Sequence, residues 1–165
     1  MSLLHFCEWL AETPGSIALH ESAWVYPIVE SVHVLVLCIF LGLTAMLDLR
    51  LLGLTLRSAP VSEVVDRLVP WTKAGFAVMV ISGALLFYAI PVRTYQNVFF
   101  RAKVMMLIGS GINAWIFHSG VYARVVEWDL DAVTPKKARM AAGISLALWA
   151  GIVIAGRMIA YNWFD

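Results

Sequence analysis

Three features of the sequence predict an all-α protein: four membrane-spanning helices in a bundle, preceded by a short helix lying at the membrane interface. The 165 residues are 61% hydrophobic and only 14% charged, with a mean hydropathy of +0.81, whereas a water-soluble domain of this size carries more charge. Four apolar runs, at 24–47, 69–91, 103–124 and 139–161, are each long enough to cross about 30 Å of hydrocarbon. The polar residues of the first run also share one helical stripe. With His33 at zero and about 100° per residue, Tyr26 and Thr44 fall near ~20° and Glu30 and Asp48 near ~60°. Ionisable groups are costly in hydrocarbon, so this stripe is expected to face the bundle interior. One domain, 1–165, fits the length.

Residues 1–12, MSLLHFCEWLAE, lack a basic leader, and Glu8 and Glu12 interrupt any apolar core, so they do not read as a signal peptide. Leu3, Phe6, Cys7 and Leu10 make one apolar face with Trp9 beside it, which predicts an interfacial helix. Thr13-Pro14-Gly15-Ser16 then turns the chain, with Ser16 as the expected cap of the next helix and Pro27 starting or kinking the first span. The segment 48–68 reads as a charged loop with a short amphipathic helix at 61–68; 92–102 is a short aromatic loop, and 125–138 is polar and broken at Pro135.

Basic residues predict the orientation. Arg50, Arg57, Arg67, Lys73, Arg124, Lys136, Lys137 and Arg139 outnumber Arg93, Arg101 and Lys103 on the opposite side, which places the first and third loops in the cytoplasm and both termini outside. Trp24 and Trp163 are then expected at the outer interface, Trp71 and Trp128 at the inner one. Neither cysteine belongs to a CxxC pair or a zinc spacing; Cys38 reads as a buried thiol. No basic patch interleaved with aromatics suggests nucleic acid. No GxSxG, HExxH or phosphate-binding glycine loop suggests hydrolytic or nucleotide chemistry, and an enzymatic role stays open.

The candidate functional residues are Tyr26, Glu30, His33, His118 and Arg157. His33 and His118, on the first and third spans, are candidate metal ligands, because imidazole is a common axial ligand of b-type haem. Their depths oppose a shared iron: His33 lies nine residues after Trp24 and His118 seventeen after Arg101, an offset of about 12 Å on parallel helices. Gly111 and Ala114 beside His118 suit either a flat ligand or helix packing through Gly109, Gly111 and Ala114. Arg157, near the outer end of the last span, is expected at the depth of Glu30 and His33, where it can pair with Glu30, meet a haem propionate or snorkel outward. A further pair, Asp48 with Lys73, is expected at the inner end.

The runs WVYPIVESVH (24–33), LDLRLLG (47–53), PWTKAGFAVMVISGALLF (70–87), FRAKVMMLIGSGINAWIFH (100–118) and AGRMIAY (155–161) resemble a bacterial family of small four-helix integral membrane proteins without an assigned activity. The second and third spans are also distantly similar to the membrane domain of copper-resistance D-type proteins and to other haem-associated four-helix domains. That resemblance implies a four-helix fold and directs attention to haem or copper. The leading expectation is a subunit of the bacterial inner membrane that binds haem b and passes electrons between a quinone and a partner protein. A carrier for a metal ion or small solute, coupled to protonation of Glu30 or His33, is the first alternative. A structural or assembly subunit, in a membrane complex or a homo-oligomer, is the second.

Overall fold

The computed structural model describes residues 3–131 and 134–161. Within them the chain forms seven α-helices and no strand: α1 (Leu3–Ala11), α2 (Pro14–Glu21), α3 (Val25–Leu51), α4 (Val61–Ala89), α5 (Pro91–Gln96), α6 (Val98–Ile116) and α7 (Lys136–Ala160). A π-helical turn at Phe117–Val121 and a 3-10 turn at Tyr122–Glu127 prolong α6. α3, α4, α6 with its extension, and α7 are long and apolar enough to cross a membrane. Between 11% and 22% of the most apolar stretch of each is buried within the chain, so most of that surface faces outward, as helices solvated by lipid require. The chain is a multi-pass membrane protein.

α3 packs along both α4 and α7, and α7 packs along α6. α4 and α6 make no comparable backbone approach and meet through side chains, with a cleft between them at one end. The rings of Phe87 and Phe100 stack at 5.5 Å across the α5 end of this contact, while His118 and Tyr122 face Val69 and Lys73 in the cleft at the other, here called the loop end. Between α3, α4 and α7, Phe40 fills the bundle centre, 4.7 Å from Trp149 and 6.1 Å from Phe76 by ring centroids.

Local sequence explains the helix ends. Thr13, not Ser16, caps α2: its side chain accepts from the Ser16 N–H, and Pro14 occupies the first turn, where a missing N–H costs nothing. Ser16 instead donates to the Tyr88 carbonyl at 2.7 Å, pinning α2 to α4. α3 stops at Gly53, which adopts φ 72°; Gly53 N–H bonds to Arg50 O and Leu54 N–H to Leu49 O, closing a Schellman motif. The helix expected at 61–68 is the first part of α4, which runs through Pro70 without a break.

The loop end is closed by a small core of Leu51, Val61, Val65, Phe117, Trp128, Ala138 and Ala142. Trp128 is therefore buried and not exposed, because the 3-10 turn folds it back under α3 and α7. Arg50 is 1% exposed and donates from Nε and Nη2 to the Ala59 carbonyl at 3.0 and 2.8 Å. Asp129 accepts from Ser62 N–H at 2.7 Å and Ser62 Oγ–H at 2.6 Å, which caps α4 from a distant loop. Thr134 donates to the Leu51 carbonyl.

At the other end α1 packs on α5 through the buried Cys7, leaving Leu3, Phe6 and Trp9 exposed on one side. That is the apolar face an interfacial helix presents. The thiols reverse the expectation for Cys38, which is exposed on the outward face of α3. Trp24 and Trp71 are exposed as expected, and Trp163 lies outside the described residues.

Candidate functional site

His33 points inward from α3 to Ser82 on α4, with Nδ1 2.8 Å from Ser82 Oγ. Ser82 is 5% exposed, and its hydroxyl donates to the Val78 carbonyl at 2.7 Å. A hydroxyl has one proton, so Ser82 Oγ accepts from His33 Nδ1–H. That assignment leaves Nε2 as the basic nitrogen, and it has no hydrogen-bond partner among the described residues. Gly83 makes room for the ring: a Cβ there would stand 3.4 Å from His33 Cε1.

The cation near His33 is Lys103 of α6. Its ammonium lies within electrostatic reach of the imidazole and rests against α7, 3.6 Å from where Gly156 would carry a Cβ. No acceptor among the described residues is within hydrogen-bonding distance of Lys103 Nζ. Side chains or gaps from all four long helices thus converge: His33 from α3, Ser82 and Gly83 from α4, Lys103 from α6, Gly156 from α7. The stacked Phe87 and Phe100 lie above them, toward α5.

The expected cluster of Glu30, His33 and Arg157 does not form. Glu30 is exposed and makes no ion pair among the described residues. It lies on the edge of the polar arc, five residues into α3 and about 7.5 Å from its start, turned away from the contact with α4 that His33 makes. Arg157 is exposed too; it stacks 4.6 Å over the Tyr161 ring and donates to the Tyr161 hydroxyl at 2.6 Å, a contact one turn along its own helix. Tyr26 is half-buried near the carboxylate of Glu30 and the guanidinium of Arg93. Thr44 is half-buried.

His118 forms a separate site at the loop end. It lines a cleft of about 290 Å³ with Asp66, Val69, Pro70, Lys73 and Tyr122. Its ring meets Tyr122 edge-on, at 5.6 Å between centroids. The offset in depth that the sequence predicts for His33 and His118 is present in the structure, and it is larger than the residue count suggests. The two imidazoles meet α4 at Ser82 and around Pro70, twelve residues apart, which is about 18 Å along the axis. Axial ligands of one iron must face each other across one ring. Among the described residues, no three His, Cys, Asp or Glu side chains form a metal-binding group.

The third polar position is Asp48, on the far side of the interior from Lys73, with which it makes no ion pair among the described residues. It is 5% exposed, Ser145 of α7 lies beside its carboxyl group, and Oδ2 has no hydrogen-bond partner. Of the small residues near His118, Gly109 packs against Leu148 of α7, whereas Gly111 faces open space. Asn113 bridges to α7 through the Ala141 carbonyl at 2.9 Å.

The residues missed by sequence reading are Lys103, Ser82 and Gly156. Lys103 had counted only toward loop charge, although it stands five residues inside α6. No curated protein and no solved structure matches the chain significantly. A family of unknown function, DUF6644, matches residues 6–162, nearly the whole chain, and the protein belongs to that family.

Proposed function

We propose that the protein is a membrane redox subunit whose interior receives the headgroup of a lipid-borne quinone or quinol from between α4 and α6. The observation that carries this reading is the pairing of His33, its tautomer set by Ser82, with the acceptor-free ammonium of Lys103. A quinol hydroxyl is both donor and acceptor. It would donate to His33 Nε2 while Lys103 Nζ donates to the same oxygen and stabilises it as its proton leaves. α4 and α6 are the two neighbouring long helices without close backbone packing, so a hydrophobic carrier would enter from the bilayer between them, and the Phe87–Phe100 pair offers an aromatic wall. Conversion of a quinol to the quinone releases two protons and two electrons: His33 takes the proton of the bound hydroxyl, the proton of the second hydroxyl leaves to water, and both electrons pass to a redox centre of a partner protein.

The surplus of Lys and Arg around the loop end supports a cytoplasmic placement for it, with both termini on the periplasmic side of a bacterial inner membrane. A second reading, carriage of a cation or small solute, draws support from Asp48, whose buried and unpartnered oxygen lies about 22 Å along α3 from His33, near the loop end.

The test is binding of a short-chain benzoquinone to protein in nanodiscs, read by quenching of tryptophan fluorescence. His33→Ala and Lys103→Met should each weaken binding at least tenfold while Glu30→Gln and Arg157→Gln leave it unchanged. Equal affinity in all variants, with cation uptake into proteoliposomes by the wild type, would replace the redox reading by the carrier.

A further inference from the structure

The loop-end cleft has a composition that the quinone reading does not use. Lys73 and Asp66 sit two turns apart on α4, with Pro70 between them and His118 and Tyr122 opposite. Asp66, Lys73 and His118 are exposed, so both charges are open to a ligand. Val65 and Val69 form an apolar wall. Two backbone irregularities shape the space. Pro70 has no N–H to give the Asp66 carbonyl, which leaves that oxygen as a second acceptor beside the Asp66 carboxylate. Across the cleft the π-helical turn at Phe117–Val121 widens the backbone and sets His118 and Tyr122 on one side.

The level in the membrane points to the ligand. Trp71 and Trp115, 70% and 71% exposed, flank the cleft on its two helices. Exposed tryptophans of a spanning bundle settle at headgroup depth. An anion site alone would not place a carboxylate and a free carbonyl at one end of the cleft, and a cation site alone would not place an ammonium two turns further along the same helix. A zwitterion satisfies both.

We propose that this cleft binds the headgroup of a zwitterionic, amine-bearing phospholipid such as phosphatidylethanolamine. Lys73 Nζ takes the phosphate, with the His118 imidazole beside it and the Tyr122 hydroxyl toward Asp66. The Asp66 carboxylate and carbonyl take the primary ammonium, and the acyl chains run along the lipid-facing sides of α4 and α6. This rests on the membrane reading of the bundle and not on the quinone site.

Thermal unfolding in detergent, with added dihexanoyl phosphatidylethanolamine, dihexanoyl phosphatidylglycerol, free phosphoethanolamine or inorganic phosphate, tests it. The wild type should bind the ethanolamine lipid about fivefold more tightly than the glycerol lipid, the scale of one exposed charge contact. Asp66→Asn should bring that ratio near one, and Lys73→Gln should weaken both lipids. Both variants change exposed side chains and should unfold at the wild-type temperature without lipid. The proposal is overturned if Asp66→Asn keeps the preference, if Lys73→Gln binds both lipids as the wild type does, or if inorganic phosphate or free phosphoethanolamine stabilises as well as the lipid.

Discussion

Replacing Ser82 by Ala isolates the contact that orients His33. The hydroxyl joins two bonds, 2.8 Å from His33 Nδ1 and 2.7 Å from the Val78 carbonyl. Val78 keeps its helical partner, so the loss falls on the imidazole, whose Nδ1–H is left without an acceptor. Such a loss costs ~1–3 kcal/mol in protein interiors, and interhelical bonds in membrane bundles average nearer ~0.6 kcal/mol. Ser82 is 5% exposed and water is distant, so about 1 kcal/mol is expected. Over a chain of this length that lowers the unfolding midpoint by about 2–4 °C. The same loss lets the ring rotate or change tautomer, which should weaken quinone binding about fivefold. Ser82→Thr keeps the hydroxyl and should restore most of the affinity. Unfolding in detergent and quinone titration of the two variants are the assays. Ser82→Ala protein that binds quinone like the wild type would refute the role assigned to the His33 tautomer.

Further outcomes follow from the same geometry. Gly15→Ala would place a Cβ 2.5 Å from the Tyr88 hydroxyl, which also bonds Thr13 at 2.8 Å; the clash should cost about 2–3 kcal/mol and release α1 and α2, read as faster amide exchange over residues 3–21. Burial is the largest single influence on Asp129 and raises its pKa, but the Ser62 hydroxyl and N–H, the Val61 N–H and the Arg50 charge together outweigh it and hold the carboxyl below the ordinary value. Folding favours the carboxylate, so its contribution is present at neutral pH and lost as pH falls below about 4. Asp129→Asn should flatten that part of the pH–stability profile. Haem-supplemented wild-type protein should show no spectrum of a bis-histidine b haem, since His33 and His118 are about 18 Å apart along α4; such a spectrum from the monomer would contradict the helix packing.

The four spans and their polar interior were legible because hydropathy and helical periodicity act locally, residue by residue. The stripe through Tyr26, Glu30, His33, Thr44 and Asp48 illustrates both the reach and the limit of that reasoning. Glu30 and Asp48 share one angle on α3, yet Asp48 is buried against α7 and Glu30 is exposed. A helical wheel has no depth coordinate and does not show which neighbour covers a given level of the helix. The expected Arg157–Glu30 pair failed for a related reason. Tyr161, one turn away, offers Arg157 a partner without crossing the bundle. Lys103 was illegible as a site residue because its meaning depends on Gly156, an absent side chain on another helix. The separation of the two histidines was legible, since counting residues along parallel helices measures depth.

The central claim is that His33 and Lys103 hold a quinone headgroup inside the α5 half of the bundle. Photolabelling with an azido-benzoquinone in nanodiscs, followed by peptide mapping, tests it most directly. The account predicts label concentrated on α4 between Met79 and Phe87 and on α6 between Phe100 and Leu107, competed by unlabelled quinone and lost in Lys103→Met. Label spread evenly over the lipid-facing helices, or unchanged by competitor, would contradict it.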